Sequence, residues 1–592
     1  MNVSSLASCA LAVVVGFGSS LALASEGPAG FHRAAAGHWV AEVRVPGADG
    51  TALQTLVYLP AEGRGPWPTL ITRSPYDLPM TPVSGFPEEH ANAGIEADEK
   101  DIGWTEATDR GYALVIQFMR GRNESDGTFS LFVDERADGE ALVRWVERRP
   151  WSNGRLGVFG DSASGVAALQ AAAVDRPSIR AIYAQATSPD FLGGVIFPER
   201  AIKWEALLPF VLNQSLENSA DHEARLGLDE PAIELLKNDA TDALGEMFGA
   251  LESGDASTSG WWTSAPTADL PVVSDLQPRR SELLAARTQP RVLAANDLRF
   301  RLRAPLLQVG LWHDFFHDSA IDTWTQRRFG ADDDRLIMLD GTHYDVDDGA
   351  IWPIRPMFAW FDHWLKGAAT EVPRWPRVQF AWAGEGVAST IGSDRWPLET
   401  RTTVLDLVPP AAPIEIDATR PVPTLGGNHL IAPSGMLDQR PLLQRADVGM
   451  LRGPVLRTGL PIAGEVGAVL RLKRPAEGPL VVKLVDIRAD GEVRLVREQL
   501  IPAVAGRWAR VQFASIGYRF AAGSRPGLIV QGSSFPAWVV EGAAPSRWID
   551  IASARLTLPD ASSCRCGNQP PRGGSPCRLS PSAAPDAVCR AP

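Results

Sequence analysis

Apolar and polar positions change their rhythm three times along this chain. From about residue 38, alternating and near-continuous apolar runs predict strands at 39–45, 53–59 and 69–72, with Gly47-Ala48-Asp49-Gly50 as the first turn. Apolar strands then alternate with helical stretches. A strand at 113–117 precedes a helix at 135–149, a strand at 156–159 precedes a helix at 166–174, and another strand lies at 179–184. Strands return at 305–310 and 336–339, each followed by a helical segment. Strands that are apolar on both faces, separated by amphipathic helices, imply a largely parallel sheet covered on both sides. Between about 195 and 300 the strand signal vanishes, and 201–216 and 229–251 read as helices. A helical insertion there would lie over the C-terminal edge of the sheet as a cap. After Lys366-Gly367, short strands at 377–382, 402–408, 466–472, 480–487, 493–496, 508–513, 528–530 and 549–558 are separated by turns, with Asp490-Gly491 marking a hairpin. They predict an all-β sandwich of the jelly-roll type.

The chain therefore divides into an α/β domain at 38–372 with its helical cap at about 195–300, a β-sandwich at 373–559 and a tail at 560–592. A length of 592 residues supports more than one core. With 45% hydrophobic and 21% charged residues the composition is that of a globular protein, and a net charge of -13 argues against a nucleic-acid partner. Residues 1–24 read as a secretory signal: 10–24 are almost wholly apolar or small, and Ala22-Leu23-Ala24 before Ser25 fits a cleavage site. The segment is too short and too interrupted to span a bilayer, so an exported protein, periplasmic or secreted, without a stable membrane span is expected. Apart from Cys9, the cysteines (Cys564, Cys566, Cys577 and Cys589) all lie in the Pro/Gly/Ser-rich tail, which is expected to be disordered and could pair them in three ways. The globular body has no cysteine nucleophile.

Candidate chemistry centres on Gly160-Asp161-Ser162-Ala163-Ser164-Gly165, placed between the apolar run 156–159 and a helix. A strand, a glycine-flanked serine and a helix form the turn that holds a serine exposed as a nucleophile, with the next backbone N–H free to stabilise an oxyanion. A Gly/Ser turn capping an ordinary helix is the competing reading. A serine nucleophile needs a base and an acid that orients it. The strand at 305–310 runs into Leu311-Trp312-His313-Asp314, and the strand at 336–339 into Asp340-Gly341-Thr342-His343. Ser162, Asp314 and His343 thus follow in the order nucleophile, acid, base, each after a strand. Taken singly, Asp314 could be a helix N-cap and His343 a loop histidine. A rival arrangement would use His313 and His317 with Asp314, Asp318 and Asp345 as metal ligands, but no His-Glu-x-x-His is present and Phe315-Phe316 read as packing. Asp345, Asp347 and Asp348 read as a solvated turn.

From about 38 to 559 the chain resembles the family of cocaine esterases, α-amino-acid ester hydrolases, glutaryl-cephalosporin acylases and X-Pro dipeptidyl peptidases. The resemblance rests on Ser74-Pro75-Tyr76-Asp77, on Arg120-Gly121 with Ser125-Asp126-Gly127-Thr128-Phe129, and on Pro150-Trp151-Ser152-Asn153-Gly154-Arg155-Leu156-Gly157. It continues through Gly310 to Asp314, Phe361-Asp362-His363-Trp364-Leu365-Lys366-Gly367 and Lys483-Leu484-Val485-Asp486. It implies an α/β-hydrolase domain with an inserted helical cap, followed by an all-β jelly roll. It also implies the triad Ser162, Asp314 and His343, with the oxyanion held by the Tyr76 hydroxyl and the Ala163 N–H. Two departures stand out. Ala163 occupies a position where the family usually has Tyr, and Phe315-Phe316-His317 replaces the carboxylates that bind a substrate ammonium in α-amino-acid ester hydrolases, leaving Asp318 as a weak substitute. The expected function is a serine hydrolase, with no cofactor and no metal, cleaving small ester or amide substrates through an acyl-enzyme on Ser162. An X-Pro-type dipeptidyl peptidase acting on short peptides is the alternative within the same chemistry. A binding protein using the jelly roll on an inactive hydrolase body is the alternative from another class.

Overall fold

The computed structural model describes residues 28–34, 37–76, 105–133, 135–266, 270–327, 332–346, 354–386, 389–398, 400–417, 419–476, 478–504, 506–540, 548–562, 565–567 and 588–590. The expected signal segment 1–24 with Cys9, and Asp77, Asp347, Asp348, Cys564 and Cys577, lie outside these residues.

Twelve strands build most of a large mixed sheet or stand beside it: β1 (His32–Arg33), β2 (Trp39–Pro46), β3 (Ala52–Leu59), β4 (Trp67–Ser74), β5 (Ala113–Phe118), β6 (Ser152–Asp161), β7 (Ile179–Gln185), β8 (Ile202–Lys203), β9 (Leu306–His313), β10 (Arg335–Thr342), β11 (Val378–Phe380) and β12 (Ile391–Ser393). All but β8 lie in the sheet, in the order β1-β2-β3-β5-β4-β6-β7-β9-β10-β11-β12. Pairing is parallel from β5 through β11 and antiparallel at both flanks. Alternation explains why its strands read as unbroken apolar runs. Ala113 and Val115 pack with Leu142, Val143 and Leu169 on one face, while Leu114 and Ile116 pack with Phe358 and Phe361 on the other.

The sequence expectation placed 377–382 in the second domain. Instead β11 pairs in parallel with β10, so this short apolar strand closes what would otherwise be the open edge of the first sheet. Beyond β12 the sheet continues with the described pieces of the tail, Val588–Arg590 and Arg565–Gly567, which pair with each other. The tail was expected to lack structure; these two pieces are strands.

Between β7 and β9 stand the helices Trp204–Leu216, Ala220–Leu226, Glu230–Glu252, Gly260–Thr263, Pro271–Leu276, Arg280–Ala286 and Pro290–Asn296. Their starts were written locally: the Asp229 carboxylate caps the Ala232 N–H at 3.0 Å, and the Ser219 hydroxyl caps His222 at 3.1 Å. Their apolar faces join a single core with Phe132, Val166 and Phe316 of the sheet domain.

The C-terminal region contains two antiparallel four-stranded sheets. One runs Arg401–Leu407, Ile551–Asp560, Leu460–Leu472, Trp508–Phe520; the other Val448–Arg452, Arg525–Gln531, Leu480–Ile487, Val493–Ile501. Leu470, Leu556 and Phe513 of the first share one core with Val482, Leu484 and Val530 of the second. The hairpin at Asp490-Gly491 forms as its sequence predicts, with Gly491 at φ 91°.

The helix after the candidate nucleophile, Ser162–Ala172, is set by its close contact with helix Arg136–Glu147. A Cβ on Gly139 would lie 2.6 Å from Ala171 Cα. Gly139→Ala is expected to destabilise the protein by about 1–3 kcal/mol in urea denaturation, because backbone must move. Gly245→Ala, in helix Glu230–Glu252 with nothing within 4 Å of the added carbon, is expected to stabilise by about 0.5–1 kcal/mol.

Candidate active site

β6 ends at Asp161 and the helix begins at Ser162, whose φ is 44°. A non-glycine residue in the left-handed region costs about 1–3 kcal/mol and persists only where its surroundings enforce it. Here they do. A Cβ on Gly160 would meet Gly165 Cα at 2.8 Å, and one on Gly165 would meet Thr187 Cγ2 at 2.6 Å. The Thr187 hydroxyl donates to the Ser162 carbonyl at 2.9 Å. Strand end, helix start and the Thr187 side chain just past β7 are thus pressed together, which is why the small residue required is Gly165. Ser164 turns inward and donates to the Ser74 hydroxyl at 3.3 Å.

Ser162 Oγ lies 3.0 Å from His343 Nε2, and His343 Nδ1 lies 2.6 Å from Asp314 Oδ2. A carboxylate only accepts, so Nδ1 carries the proton and the Nε2 lone pair faces the serine. Asp314 is fully buried, and its other oxygen accepts the Phe316 N–H at 2.6 Å. One carboxylate therefore does both things its sequence position suggested, ordering the turn before helix His317–Gln326 and binding the histidine. The Asp345 carboxylate accepts the Thr342 N–H at 2.6 Å and its hydroxyl at 2.8 Å, fixing the turn that presents His343. This residue was read as part of a solvated turn; its carboxylate instead braces the turn that carries the candidate base.

Tyr76 stands at the end of β4, with its hydroxyl hydrogen-bonded to the Ser162 side chain and the Ala163 N–H. Burial raises the phenol well above its ordinary pKa, so it is a donor at neutral pH. Its position is held by a residue that sequence reasoning passed over. Arg122, fully buried, donates to the Pro75 carbonyl at 2.6 Å, to the Gln214 carbonyl at 2.8 Å and to Glu217 at 2.7 Å. No local signal marks Arg122, because these hydrogen-bond partners lie 47, 92 and 95 residues away in sequence. The five predicted residues, Ser162, Asp314, His343, Tyr76 and Ala163, thus meet at one place.

Ser162, Ala163 and Tyr76 line a pocket with about 470 Å³ of atom-free space, its open mouth included. Among the described residues lining it, only Ser162 and Tyr76 bear polar side chains; Leu131, Phe191, Leu207, Phe210, Phe316 and Leu430 supply most of the wall. Leu131 and its neighbour Phe132 have φ of 51° and 67°, held by a hydrogen bond from Gln170 to the Phe132 carbonyl at 2.8 Å and by the Ser130–Glu135 contact.

Of the residues of the metal alternative, Asp314 binds His343 and three more have partners of their own. The His317 ring donates to the Ser515 carbonyl at 2.9 Å, Asp318 pairs with Arg497 and accepts from Asn428 at 3.1 Å, and Asp345 holds its own turn. Among the described residues no group of three or more His, Cys, Asp or Glu is placed to hold a metal ion. With its charge met by Arg497 and no place in the pocket lining, Asp318 does not replace the missing ammonium-binding carboxylates.

The sequence profile of X-Pro dipeptidyl-peptidase (S15 family) matches residues 49–345. The chain belongs to this family. Cocaine esterase of Rhodococcus sp. (strain MB1 Bresler) is 27% identical over 500 residues, 76% of this chain and 80% of the relative. An α-amino acid ester hydrolase labelled with selenomethionine shares the fold with a TM-score of 0.62 at 18% identity, over 92% of this chain and 100% of that one. An aminopeptidase from the marine sediment archaeon Thaumarchaeota archaeon does so with a TM-score of 0.57 at 20% identity, over 88% and 94%. As a member of the S15 family the chain is a serine hydrolase, and no helix among its described residues is long and apolar enough to cross a membrane.

The buried histidines behind the site predict an acid limit to stability. Burial, reinforced by Arg497, lowers His313 to about 3 and His317 to about 4. In the unfolded chain they take protons near pH 6.5. Between these values the unfolded state binds more protons, so stability falls as pH drops from about 6.5 towards 4. His317→Gln, which keeps a donor for the Ser515 carbonyl, is expected to reduce the loss of unfolding free energy between about pH 7 and 5 by about 2 kcal/mol, measured by urea denaturation.

Proposed function

We propose that this S15-family protein is an esterase that transfers the acyl group of a small, uncharged, apolar ester to Ser162 and then to water. The observation that carries the reading is the continuous relay Ser162–His343–Asp314, at 3.0 and 2.6 Å, opening onto an apolar pocket. Ser162 Oγ attacks the carbonyl carbon as its proton passes to His343 Nε2, and Asp314 stabilises the imidazolium through Nδ1–H. Charge developing on the carbonyl oxygen is met by the Tyr76 O–H and the Ala163 N–H, the latter at a helix N-terminus. Collapse of the tetrahedral intermediate expels the alcohol, which takes the proton from Nε2. Water, deprotonated by the same nitrogen, then attacks the acyl-enzyme and releases the acid while Ser162 recovers its proton.

The pocket lining favours esters over X-Pro peptides. A dipeptidyl peptidase must hold a free ammonium, and an unpaired cation in an apolar pocket is costly; none of the described lining residues is acidic. The cocaine esterase relative, whose name denotes an ester, supports the same choice. In this reading the helices between β7 and β9 are the cap, and the two C-terminal sheets form a jelly roll whose preceding irregular stretch brings Leu430 to the pocket.

A fluorophosphonate probe is expected to label Ser162 in the wild-type protein and to fail with Ser162→Ala; a folded wild type that does not label would overturn the reading. Asp314→Asn is expected to lower kcat for p-nitrophenyl esters by about 10⁴-fold, since it leaves the imidazole in the wrong tautomer. Tyr76→Phe should lower kcat by about 10²–10³-fold with an unchanged melting temperature, the cost of one oxyanion donor.

A further inference from the structure

We infer that Glu205 is the positioning residue that sets acyl-chain specificity, by clamping the Leu430 segment of the β-rich region as a wall of the pocket. The inference rests on the esterase reading and concerns the same pocket. Glu205 is the second residue of helix Trp204–Leu216 and is fully buried. The next side chains, Ala206 and Leu207, line the pocket. The Glu205 carboxylate reaches across to another part of the chain. It accepts the N–H of Leu430 at 3.1 and 3.2 Å, of Ile431 at 2.8 Å and of Ala432 at 3.4 Å. Three consecutive backbone donors converge on one point only in a fixed local conformation, that of an anion-binding nest. Fixing that backbone fixes Leu430.

The surroundings keep the carboxylate charged. His429 Nδ1 lies 3.7 Å from Glu205, while its Nε2 lies 3.4 Å from Glu498, which is itself 3.3 Å from Lys483. Burial alone would raise the pKa of Glu205, but His429, Lys203 and the Ile431 N–H outweigh it and hold it below the usual carboxylate value. Lys203, two residues earlier on β8, donates to the Phe315 carbonyl at 3.0 Å, and Phe315 is a further wall residue beside the acid Asp314. β8 pairs with Trp538–Val539, and Trp538 donates to Glu498 at 3.0 Å, which closes the network. The short segment 202–207 therefore holds pocket walls brought from two distant stretches of chain.

An apolar residue at 205 would leave the buried donors unpaired, and glutamine would set an amide NH₂ against N–H groups. Rates of hydrolysis of p-nitrophenyl acetate, butyrate and hexanoate, together with fluorophosphonate labelling at Ser162, test the clamp. For Glu205→Gln the preference in kcat/KM between hexanoate and acetate is expected to fall by about ten-fold, through KM for the longer ester, the scale on which a pocket reads methylene groups. Labelling at Ser162 and kcat for acetate should persist. Leu430→Ala should reproduce the altered profile. Asp486→Asn, at an equally buried carboxylate bound to the Tyr518 hydroxyl at 2.8 Å, should leave it unchanged. If Glu205→Gln does not fold, Glu205→Asp, which keeps the charge and withdraws it by one methylene, decides by the same profile. A folded, labelled Glu205 variant with the wild-type profile would overturn this inference alone. A wild type that neither labels nor hydrolyses esters would overturn it together with the esterase reading.

Discussion

The left-handed backbone at Ser162 is the constraint on which the rest of the site depends. It exists because the end of β6 and the start of the following helix come closer than side chains allow, with the Thr187 side chain, just past β7, pressed against the same helix start. Gly160, Gly165 and Thr187 are the contact. The strain is repaid by packing on the other side of the same helix, where Gly139 lets helix Arg136–Glu147 approach Ala171. A helix held so firmly aims its N-terminal N–H and Ser162 Oγ at one point, so the only adjustable elements are those that reach that point from elsewhere: His343 on its turn, Asp314 before its helix and Tyr76 on its loop. Each is fastened by a polar contact: the turn of His343 through Thr342 to Asp345, Asp314 to the Phe316 N–H, and Tyr76, through Pro75, to Arg122.

The charged groups stand back from the pocket. Its lining presents hydrocarbon, while the charged groups lie one layer behind: Arg122 with Glu217, Lys203, Glu205, His429, Glu498 and Lys483, and Asp318 with Arg497. Burying so many ions is costly and stabilises little compared with an apolar core of the same volume. What such a layer supplies is direction. Each carboxylate and each guanidinium has only one arrangement in which its partners are met, and those partners are largely backbone groups of the segments that carry the pocket walls. The apolar layer in front could pack in several ways; the polar layer behind selects one.

Much of this was legible one element at a time. Strands apolar on both faces announced the parallel sheet, the cap residues Ser219 and Asp229 announced helices, and Asp490-Gly491 announced a hairpin, because each signal is local. The candidate triad was legible for the same reason: Ser162, Asp314 and His343 each follow directly on a strand that ends at the same edge of the sheet. Edges were harder. β11 was assigned to the wrong sheet because a three-residue apolar strand carries no mark of its partner, and β10 took it to cover an open edge. Asp345 was misread because an acidic turn residue looks the same in sequence whether its carboxylate meets water or a backbone N–H.

Local patterns in the chain were enough for the order of most strands and helices, for the elbow and for Ser162, Asp314 and His343 at strand ends, since periodicity, glycine placement and capping act over a few neighbouring residues; Tyr76 was marked only by the resemblance to the family. The lining of the pocket and the contacts that hold it open came from the folding of distant segments onto one another. Leu131, Phe316 and Leu430 come from three separate parts of the chain, and Arg122 and Glu205 bind backbone tens to hundreds of residues away. Those pairings follow from how the layers stack, a property of the folded whole that no single segment contains.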